Sequence, residues 1–372
     1  MEREHLYQQL ISYGESDVYP FHMPGHKRRA LPFPNPYTID ITEIDGFDNL
    51  HHAEGLIREA EERAAKLYGA DRSYYLVNGS TCGLLAAICA AARRGDKVLA
   101  ARNCHKAVYH AISMQGLAAE FLYPAITRGD LQGQITAAQV EEALTKHPDI
   151  AVVILTSPTY EGIVSDVAAI AACCHAHGAA LIVDEAHGAH FGFGAGFPEN
   201  AVRLGADAVI MSLHKTLPAL TQTAVLHRAS DRIMAERVEH YLEIFETSSP
   251  SYVLMGSISQ CMQWMRKYAD TWFEAYFTNL IWFREHAEKW KELRLWENPR
   301  KEPSKLVVLT GEKCSGTEAA KWLREEFQIE VEMAAAGYIL AMTSLADSRD
   351  GFVRLMDALT KIDERLQKIS FS

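Results

Sequence analysis

Short apolar stretches alternate with helical stretches over most of this chain, and this alternation limits the fold more than any other feature of the sequence. Two of the apolar stretches, AVVIL at 151–155 and ALIV at 180–183, carry no polar residue, as expected for strands that helices cover on both faces. The predicted strands are 74–77, 97–101, 120–123, 151–156, 180–184, 208–212 and 223–227. The predicted helices between them are 81–93, 106–114, 137–146 and 167–177, and three of these are closed by Gly95, Gly116 and Gly178. The pattern predicts an α/β domain built on a mostly parallel, seven-stranded sheet.

A second pattern follows this domain. Residues 252–293 read as one long helix, and the helix-breaking segment NPRKEPS comes next at 298–304. After it the sequence predicts strands at 305–309, 329–333 and 338–342, and helices at 316–326 and 349–369. Five prolines between Pro20 and Pro36 indicate an N-terminal arm outside the sheet. We therefore divide the chain into an arm at 1–50, a large α/β domain at 51–295 and a small α+β domain at 296–372.

Composition narrows the class of protein. The chain has 37 Lys and Arg against 48 Asp and Glu, a net charge of −11, which argues against a surface that binds nucleic acid. Its seven cysteines show no C-x-x-C spacing, so we expect neither a disulfide framework nor a metal site, and core packing for Cys173 and Cys174. The N-terminus is charged where a signal peptide is apolar, and the longest apolar stretch, 84–92, is too short to cross a bilayer. These features predict a cytoplasmic protein without membrane contacts.

Polar residues follow two neighbouring strands of the predicted sheet. One strand ends in Asp184, and the next ends in Ser212 with Lys215 just beyond it. Ligands bind at this carboxyl edge of a doubly wound sheet. A lysine that forms a Schiff base and an aspartate that holds a protonated pyridine nitrogen together mark pyridoxal phosphate sites. The alternative is that Asp184 caps a helix and Lys215 is a solvated loop residue.

The segment Asn78–Gly83 is a candidate for phosphate binding. It joins a strand to a helix through a glycine-containing turn with two hydroxyls, Ser80 and Thr81. Free N–H groups and the helix dipole favour an anion at such an N-terminus. The alternative is that Ser80 or Thr81 is only an N-cap. Ser212 and His214 would add further donors, so three separate segments point to one cofactor.

The order of the motifs closely resembles that of a known family. Along the chain come NGST, RNCHKAVYHA, SPTYEG, DEAHGAH, SLHKTLPALTQ and TSSPSY, and the earlier FHMPGHK and DITEIDGFDNLHHAEGLI also fit. This order resembles the Orn/Lys/Arg decarboxylases, which are fold-type I pyridoxal-phosphate enzymes. The resemblance extends from about residue 17 to 345. It implies an aminotransferase-like fold and bound pyridoxal phosphate.

The resemblance also implies roles for individual residues. Lys215 is the Schiff-base lysine, Asp184 the partner of the pyridine nitrogen, and His187 the residue that approaches the ring hydroxyl or the Schiff base. His105 stacks on the cofactor ring, with a helix-cap histidine as the alternative. The phosphate ligands implied are Gly79, Ser80, Thr81, Ser212 and His214. Ser248 and Ser249 reach the neighbouring subunit's site, which implies at least a homodimer.

The activity implied is decarboxylation of arginine, lysine or ornithine, in the context of polyamine biosynthesis, with Lys215 or His214 returning a proton to Cα. Two alternatives stay open: another pyridoxal-phosphate reaction, such as transamination, aldol cleavage or β-elimination, and cofactor binding without turnover. An arginine that grips the substrate α-carboxylate would favour transamination. Three acidic residues of the arm, Glu43, Asp45 and Asp48, either attract a cationic substrate or form a solvated loop.

Compared with larger members of this family, the sequence resembles a short member. We expect it to lack an N-terminal wing domain and an extended C-terminal segment with a YPPGIP-type motif. That segment lies near the substrate pocket in the family, so the sequence predicts the cofactor side of the site more firmly than the substrate side.

Overall fold

The computed structural model describes residues 6–29, 31–128 and 131–369; the charged start of the chain, Met1–His5, lies outside them. The α-helices are α1 Leu6–Glu15, α2 Leu56–Tyr68, α3 Gly79–Ala91, α4 Lys106–Gln115, α5 Ala137–Lys146, α6 Val167–Ala176, α7 Leu213–Thr216, α8 Ala235–Phe245, α9 Tyr252–Ala287, α10 Gly316–Phe327 and α11 Arg349–Gln367. The strands are β1 Tyr19–Phe21, β2 Arg72–Leu76, β3 Lys97–Ala101, β4 Ala118–Leu122, β5 Ile126–Arg128, β6 Leu131–Gln132, β7 Ile150–Thr156, β8 Ala180–Asp184, β9 Ala208–Ser212, β10 Ala224–Arg228, β11 Arg294–Leu295, β12 Lys305–Leu309, β13 Ile329–Val331, β14 Met333–Ala334 and β15 Tyr338–Met342.

The large domain is built on a seven-stranded sheet with the strand order β2-β10-β9-β8-β7-β3-β4. Strand β10 runs antiparallel to both of its neighbours, and the neighbouring pairs from β9 to β4 are all parallel. The prediction of a mostly parallel, seven-stranded sheet is confirmed. Three of the predicted strands have the observed bounds, and the other four differ by at most two residues.

The continuous apolar strands are buried on both faces. In β7, Val153 and Leu155 join the core cluster on one face of the sheet, whereas Val152 and Ile154 join the cluster on the other. Side chains alternate between faces along a strand, so a strand in the middle of three layers needs apolar residues at every position.

Helix α3 is packed unusually close to the sheet. A Cβ atom at Gly83 would lie 2.6 Å from Cδ1 of Leu76 on β2, so only glycine fits there. Most of the helix is buried, which explains its apolar, alanine-rich sequence. This packing fixes the N-terminus of α3 at the carboxyl edge of the sheet, where β8 and β9 also end.

Helix α9 leads from the large domain into the small one, which has the antiparallel sheet β11-β12-β15-β14. The predicted helix extended to residue 293, but α9 ends at Ala287; in the segment that follows, the Asp363 carboxylate binds the backbone N–H groups of Glu292 and Leu293, each at 2.8 Å. The predicted strand 329–333 is divided into β13 and β14, which pair with different partners. Within the described part of the chain, no helix is both long enough and apolar enough to cross a membrane.

The N-terminal arm lies outside the seven-stranded sheet, as predicted, and its strand β1 pairs with a strand of the small domain. Strand β1 pairs in parallel with β13, and Tyr19 is opposite Ile329. The ammonium of Lys27 is buried, and it donates to the carbonyl oxygens of His22 and Met342, both at 2.8 Å. Strand β1 was not predicted, because three residues containing a proline carry no strand pattern.

The two adjacent cysteines of α6 differ in their surroundings. Cys174 is fully buried in the core, as expected. Cys173 is only partly buried, and its thiol donates to Oε2 of Glu141 on α5 at 3.0 Å. All seven cysteines are free thiols.

Candidate active site

A cavity of about 330 Å³ opens at the carboxyl edge of the large sheet. It is lined by Gly79, Ser80, Thr81, Leu84, Asn103, His105, Thr156, Tyr160, Asp184, Ala186, His187, Ser212, His214 and Lys215. All of the predicted site residues except Ser248 and Ser249 are among them. Strand ends β3, β7, β8 and β9 and the N-terminus of α3 bring these residues together, which is where a doubly wound sheet binds its ligands.

Lys215 lies in the short helix α7, which follows β9 directly. Its Nζ is 3.0 Å from Nε2 of His187. Burial lowers the pKa of Lys215 below its usual value, and the charges of Asp184 and Glu332 oppose this effect in part. A lysine whose amine is more easily neutral is suited to Schiff-base chemistry. The alternative of a solvated loop lysine is wrong.

Asp184 ends β8 and is 3% exposed. Its Oδ1 accepts a hydrogen bond from the N–H of Ala186 at 3.1 Å, in a turn rather than at the start of a helix. The helix-cap alternative is therefore wrong. Burial raises the pKa of Asp184, and the Lys215 charge opposes this. A buried carboxylate of this kind gains stability from a cationic partner, such as a protonated pyridine nitrogen.

His187 is buried beside Lys215, and its ring makes an edge contact with Tyr160 at 4.9 Å between centroids. Burial, and then the nearby charge of Lys215, lower the pKa of His187 well below its usual value. The imidazole is therefore neutral at physiological pH. A neutral imidazole offers one donor and one acceptor nitrogen to the cavity.

His105 fits both of its predicted roles. Its Nδ1 accepts a hydrogen bond from the N–H of Ala107 at 3.2 Å, so it is the N-cap of α4. The same side chain lines the cavity. Burial lowers the pKa of His105, and Asp184 opposes this effect. The cap fixes the ring at the edge of the cavity, so capping and stacking on a cofactor are compatible.

The N-terminus of α3 is arranged for an anion. The helix begins at Gly79 with Asn78 as its N-cap, and the Asn78 side chain donates to the carbonyl of Phe245 instead of capping the helix. The alternative of Ser80 or Thr81 as N-cap is therefore wrong. Oγ of Ser80 lies 2.6 Å from Oγ of Ser212. Hydroxyls at the N-terminus of a 13-residue helix, with its free N–H groups and dipole, form a phosphate-binding arrangement.

The cavity also contains polar atoms that lack partners. Among the residues that the structure describes, Oδ1 of Asn103, Oγ1 of Thr156 and Nδ1 of His187 are buried without a hydrogen bond. Such groups are costly unless a ligand or water satisfies them. The cavity thus combines the N-terminus of α3, the Asp184 carboxylate and the Lys215 amine. These three groups fit, in this order, the phosphate, the pyridine nitrogen and the aldehyde of pyridoxal phosphate.

Four polar residues at or beside the cavity were not predicted. Asn103 and Thr156 follow or end the strands β3 and β7, so the rule that identified Asp184 would have found them. Tyr160 lies within the motif SPTYEG. Glu332 comes from the small domain, where it accepts hydrogen bonds from the Tyr160 hydroxyl and, at 2.8 Å, from the N–H of Met23. No local pattern marks it, because only packing of the two domains brings it near Lys215.

Residues outside the cavity divide into two groups. Ser248 and Ser249 are exposed between α8 and α9 and do not line the cavity of their own chain, so their contact with a neighbouring subunit stays a prediction. Asp48 binds the N–H groups of Gly55 and Ile57 at the start of α2, which is a structural role. Glu43 and Asp45 are exposed.

Several known proteins are similar to this chain in sequence. The uncharacterized protein YaaO of Bacillus subtilis is 42% identical over 262 residues, which are 68% of this chain and 55% of YaaO. The arginine decarboxylase of Halalkalibacterium halodurans is 31% identical over 384 residues, covering 97% of this chain and 77% of the relative. The chain thus spans little more than half the length of YaaO.

Solved structures show the same fold. The lysine decarboxylase LdcF of Francisella novicida superposes with a TM-score of 0.80 at 19% identity, covering 97% of this chain and 60% of LdcF. The sequence model of the Orn/Lys/Arg decarboxylase major domain matches residues 4–299. With this match and the 31% identical relative, the chain belongs to the Orn/Lys/Arg decarboxylase family and has the fold of the fold-type I pyridoxal-phosphate enzymes.

Proposed function

We propose that this protein binds pyridoxal phosphate and decarboxylates a basic amino acid, arginine, lysine or ornithine, to the corresponding amine. The observation that carries this proposal is one buried cavity in which the Lys215 amine contacts His187 and lies within the field of the Asp184 carboxylate. Family membership supports the reaction type. The arginine decarboxylase named above supports a basic substrate.

Different residues of the cavity would bind different parts of the cofactor. When bound, pyridoxal phosphate supplies an electron sink for the bond that breaks at Cα of the substrate. Asp184 would hold a proton at the pyridine nitrogen, because a cationic partner stabilises a buried carboxylate. Ser80, Thr81 and Ser212 would bind the phosphate at the N-terminus of α3. His105 would pack against one face of the ring.

Proton transfer at Cα would fall to Lys215. Its Nζ projects into the cavity, and its lowered pKa makes both the neutral and the charged amine accessible. His187 would orient Nζ through their hydrogen bond. His214 also lines the cavity, but its Nδ1 is engaged with the carbonyl of Thr223 at 3.0 Å.

The distal charge of the substrate would be met by Glu332. Its carboxylate is bound to Tyr160, a residue of the cavity wall, and its charge acts on Lys215. A carboxylate at that place favours a cationic side chain and disfavours an anionic one. We propose Glu332 as the residue that distinguishes basic from acidic amino acids.

We also propose a cytoplasmic homodimer, in which Ser248 and Ser249 complete the partner subunit's site. Both serines are exposed, and the free state of all seven cysteines is usual in a reducing compartment.

The test is product analysis with the purified full chain and added pyridoxal phosphate. Each of the three basic amino acids and glutamate is supplied, and carbon dioxide, amine and keto acid are measured. Carbon dioxide and amine in equal amounts from one basic amino acid would support the proposal. Keto acid without carbon dioxide would replace it with transamination, and a protein that takes up no pyridoxal phosphate would refute every cofactor-dependent reaction. Lys215→Ala is the variant that should abolish turnover.

A further inference from the structure

Three metal-ligating side chains meet on the outer surface of the large domain, away from the cofactor cavity. They are Glu141 on α5 and Cys173 and His177 at the end of α6. Their ligand atoms all lie within 4.8 Å of one another. The Cys173 thiol donates to Oε2 of Glu141 at 3.0 Å, and Nε2 of His177 lies 2.9 Å from Oε1 of the same carboxylate.

The spacing of two residues on α6 and the position of the adjacent helix α5 bring the three side chains together. Cys173 and His177 are four residues apart, so they lie one turn apart on the same face of α6. Glu141 reaches them from the adjacent helix α5. His177 is the C-cap of α6, and the negative end of a helix dipole favours a cation at that place.

The three donor atoms are a sulfur, an imidazole nitrogen and a carboxylate oxygen, the set that zinc prefers. We propose that Glu141, Cys173 and His177 bind one Zn²⁺ ion, with water as the fourth ligand. The ion takes the place of the protons that now link the three groups, and it joins α5 to α6.

The distances are close to those that zinc requires. Zinc bonds of roughly 2.0–2.3 Å in a tetrahedral site place neighbouring ligand atoms roughly 3.3–3.7 Å apart. The three ligand atoms lie within 4.8 Å of one another, so each separation would change by at most about 1.5 Å. The cluster is not deeply buried, so these side chains have room to move. Cys173 binds as the thiolate, so uptake of the ion releases its proton and affinity rises with pH.

The site is independent of the reaction proposed above. His177 and Gly178 lead directly into β8, whose first residue, Ala180, is at the amino edge of the sheet. Asp184 is at the carboxyl edge, about 13 Å along the strand. None of the three ligands lines the cofactor cavity. We therefore expect zinc to affect the stability of the large domain rather than the binding of pyridoxal phosphate.

The experiment uses the full chain, freed of metal by a chelator and then loaded with pyridoxal phosphate. Titration with Co²⁺, a spectroscopic substitute for zinc, should give a thiolate-to-cobalt absorbance that saturates at one equivalent and is removed by Zn²⁺. Cys173→Ser should abolish this absorbance. Cys174→Ser is the matched control, because Cys174 is adjacent in sequence but lies in the core, and it should leave the absorbance unchanged.

A second variant keeps the test valid if Cys173→Ser does not fold. Glu141→Gln changes an exposed side chain, so the fold is expected to survive. Loss of a residue that only supports a metal ligand typically lowers metal affinity about 10- to 100-fold, and loss of the ligand Glu141 itself should lower Zn²⁺ affinity by at least as much. Zn²⁺ should raise the unfolding temperature of the unaltered protein but not of this variant. The proposal is overturned if no stoichiometric absorbance forms, or if Cys173→Ser and Glu141→Gln bind as tightly as the unaltered chain.

Discussion

Nζ of Lys215 and Nε2 of His187 are 3.0 Å apart in the cavity at the sheet edge. The pKa of His187 is lowered well below its usual value, so the imidazole is neutral, and when Lys215 is an ammonium it donates a hydrogen bond to Nε2. Nδ1 then carries the proton, and it is buried without a partner among the described residues. One histidine thus orients the reactive amine and offers a free donor to whatever enters the cavity.

Replacing Asp184 by Asn should remove most of the activity without unfolding the protein. Asn has the same shape and accepts the N–H of Ala186, but it cannot stabilise a proton on a pyridine nitrogen. We expect kcat to fall on the order of 100-fold or more. Steady-state kinetics measures this, with circular dichroism as the check on folding. Asp45→Asn, at an exposed position, is the matched control and should change neither.

Replacing Glu332 by Gln tests the proposed recognition of a cationic substrate. Loss of a charged hydrogen bond of about 1.5–3 kcal/mol should raise KM for the basic substrate roughly 10- to 100-fold. The effect on kcat should be smaller, because Glu332 does not touch the bond that breaks. If KM is unchanged while kcat collapses, Glu332 acts on Lys215 rather than on the substrate.

Gly25 tests how tightly the arm is packed against the lysine segment. A Cβ there would lie 2.8 Å from the carbonyl oxygen of Leu217, two residues after Lys215. Gly25→Ala should therefore cost about 1–3 kcal/mol of unfolding free energy and lower the activity. Urea denaturation measures the first. Gly14→Ala is the control: nothing lies within 4 Å of its Cβ, so stability should be unchanged or slightly higher.

Glu61 should make stability depend on pH. Burial raises the pKa of this carboxyl from 4.5 to about 8 in the folded chain. The contribution of Glu61 to the free energy of unfolding is therefore complete below pH 4.5. This contribution is lost as the pH rises towards about 8, by at most about 1.4 kcal/mol per pH unit. Glu61→Gln still accepts the N–H of Tyr75, as Glu61 does at 2.9 Å, but it does not ionise. The free energy of unfolding, measured at several pH values from 5 to 8, should change less with pH in this variant than in the unaltered protein. Equal pH dependence of the two would show that Glu61 is ionised in the folded chain.

Mixing two inactive variants tests the shared site. One chain carries Lys215→Ala and the other Ser249→Asp, whose charge would repel a phosphate in the partner subunit's site. If the site is shared, hybrids of the two chains contain one complete site. Random mixing should then restore about a quarter of the full activity, since half of the dimers are hybrids with one working site of two. No gain on mixing would place Ser249 outside the partner's site.

The sequence predicted the large domain well because its strands are buried on both faces. The runs at 97–101, 180–184 and 208–212 have the observed bounds, and in each of them four of the five residues are apolar. Elements whose structure depends on distant partners were missed or misplaced. Strand β1 exists only by pairing with β13, and the segment after α9, which was predicted as helix, is bound instead by Asp363 of α11.

The cofactor side of the site was predictable for a similar reason. Asp184, Ser212 and Lys215 follow strands that local pattern identifies, and a parallel sheet brings strand ends together. Glu332 and Tyr160 meet across the two domains, so no local pattern brings them together. The residues proposed to contact the substrate side chain could therefore be identified only from the structure.

The pairing of the arm with the small domain also orders events during synthesis. Residues 19–21 leave the ribosome first, but their partners at 329–331 are made more than 300 residues later. Gly25, which binds the carbonyl of His214 at 2.6 Å, is held in turn by the hydroxyl of Ser344. A nascent chain can fold its central sheet early. The backbone beside Lys215 is then held in its final position only after residues 329–344 have been made, so chains that end before these residues should be inactive.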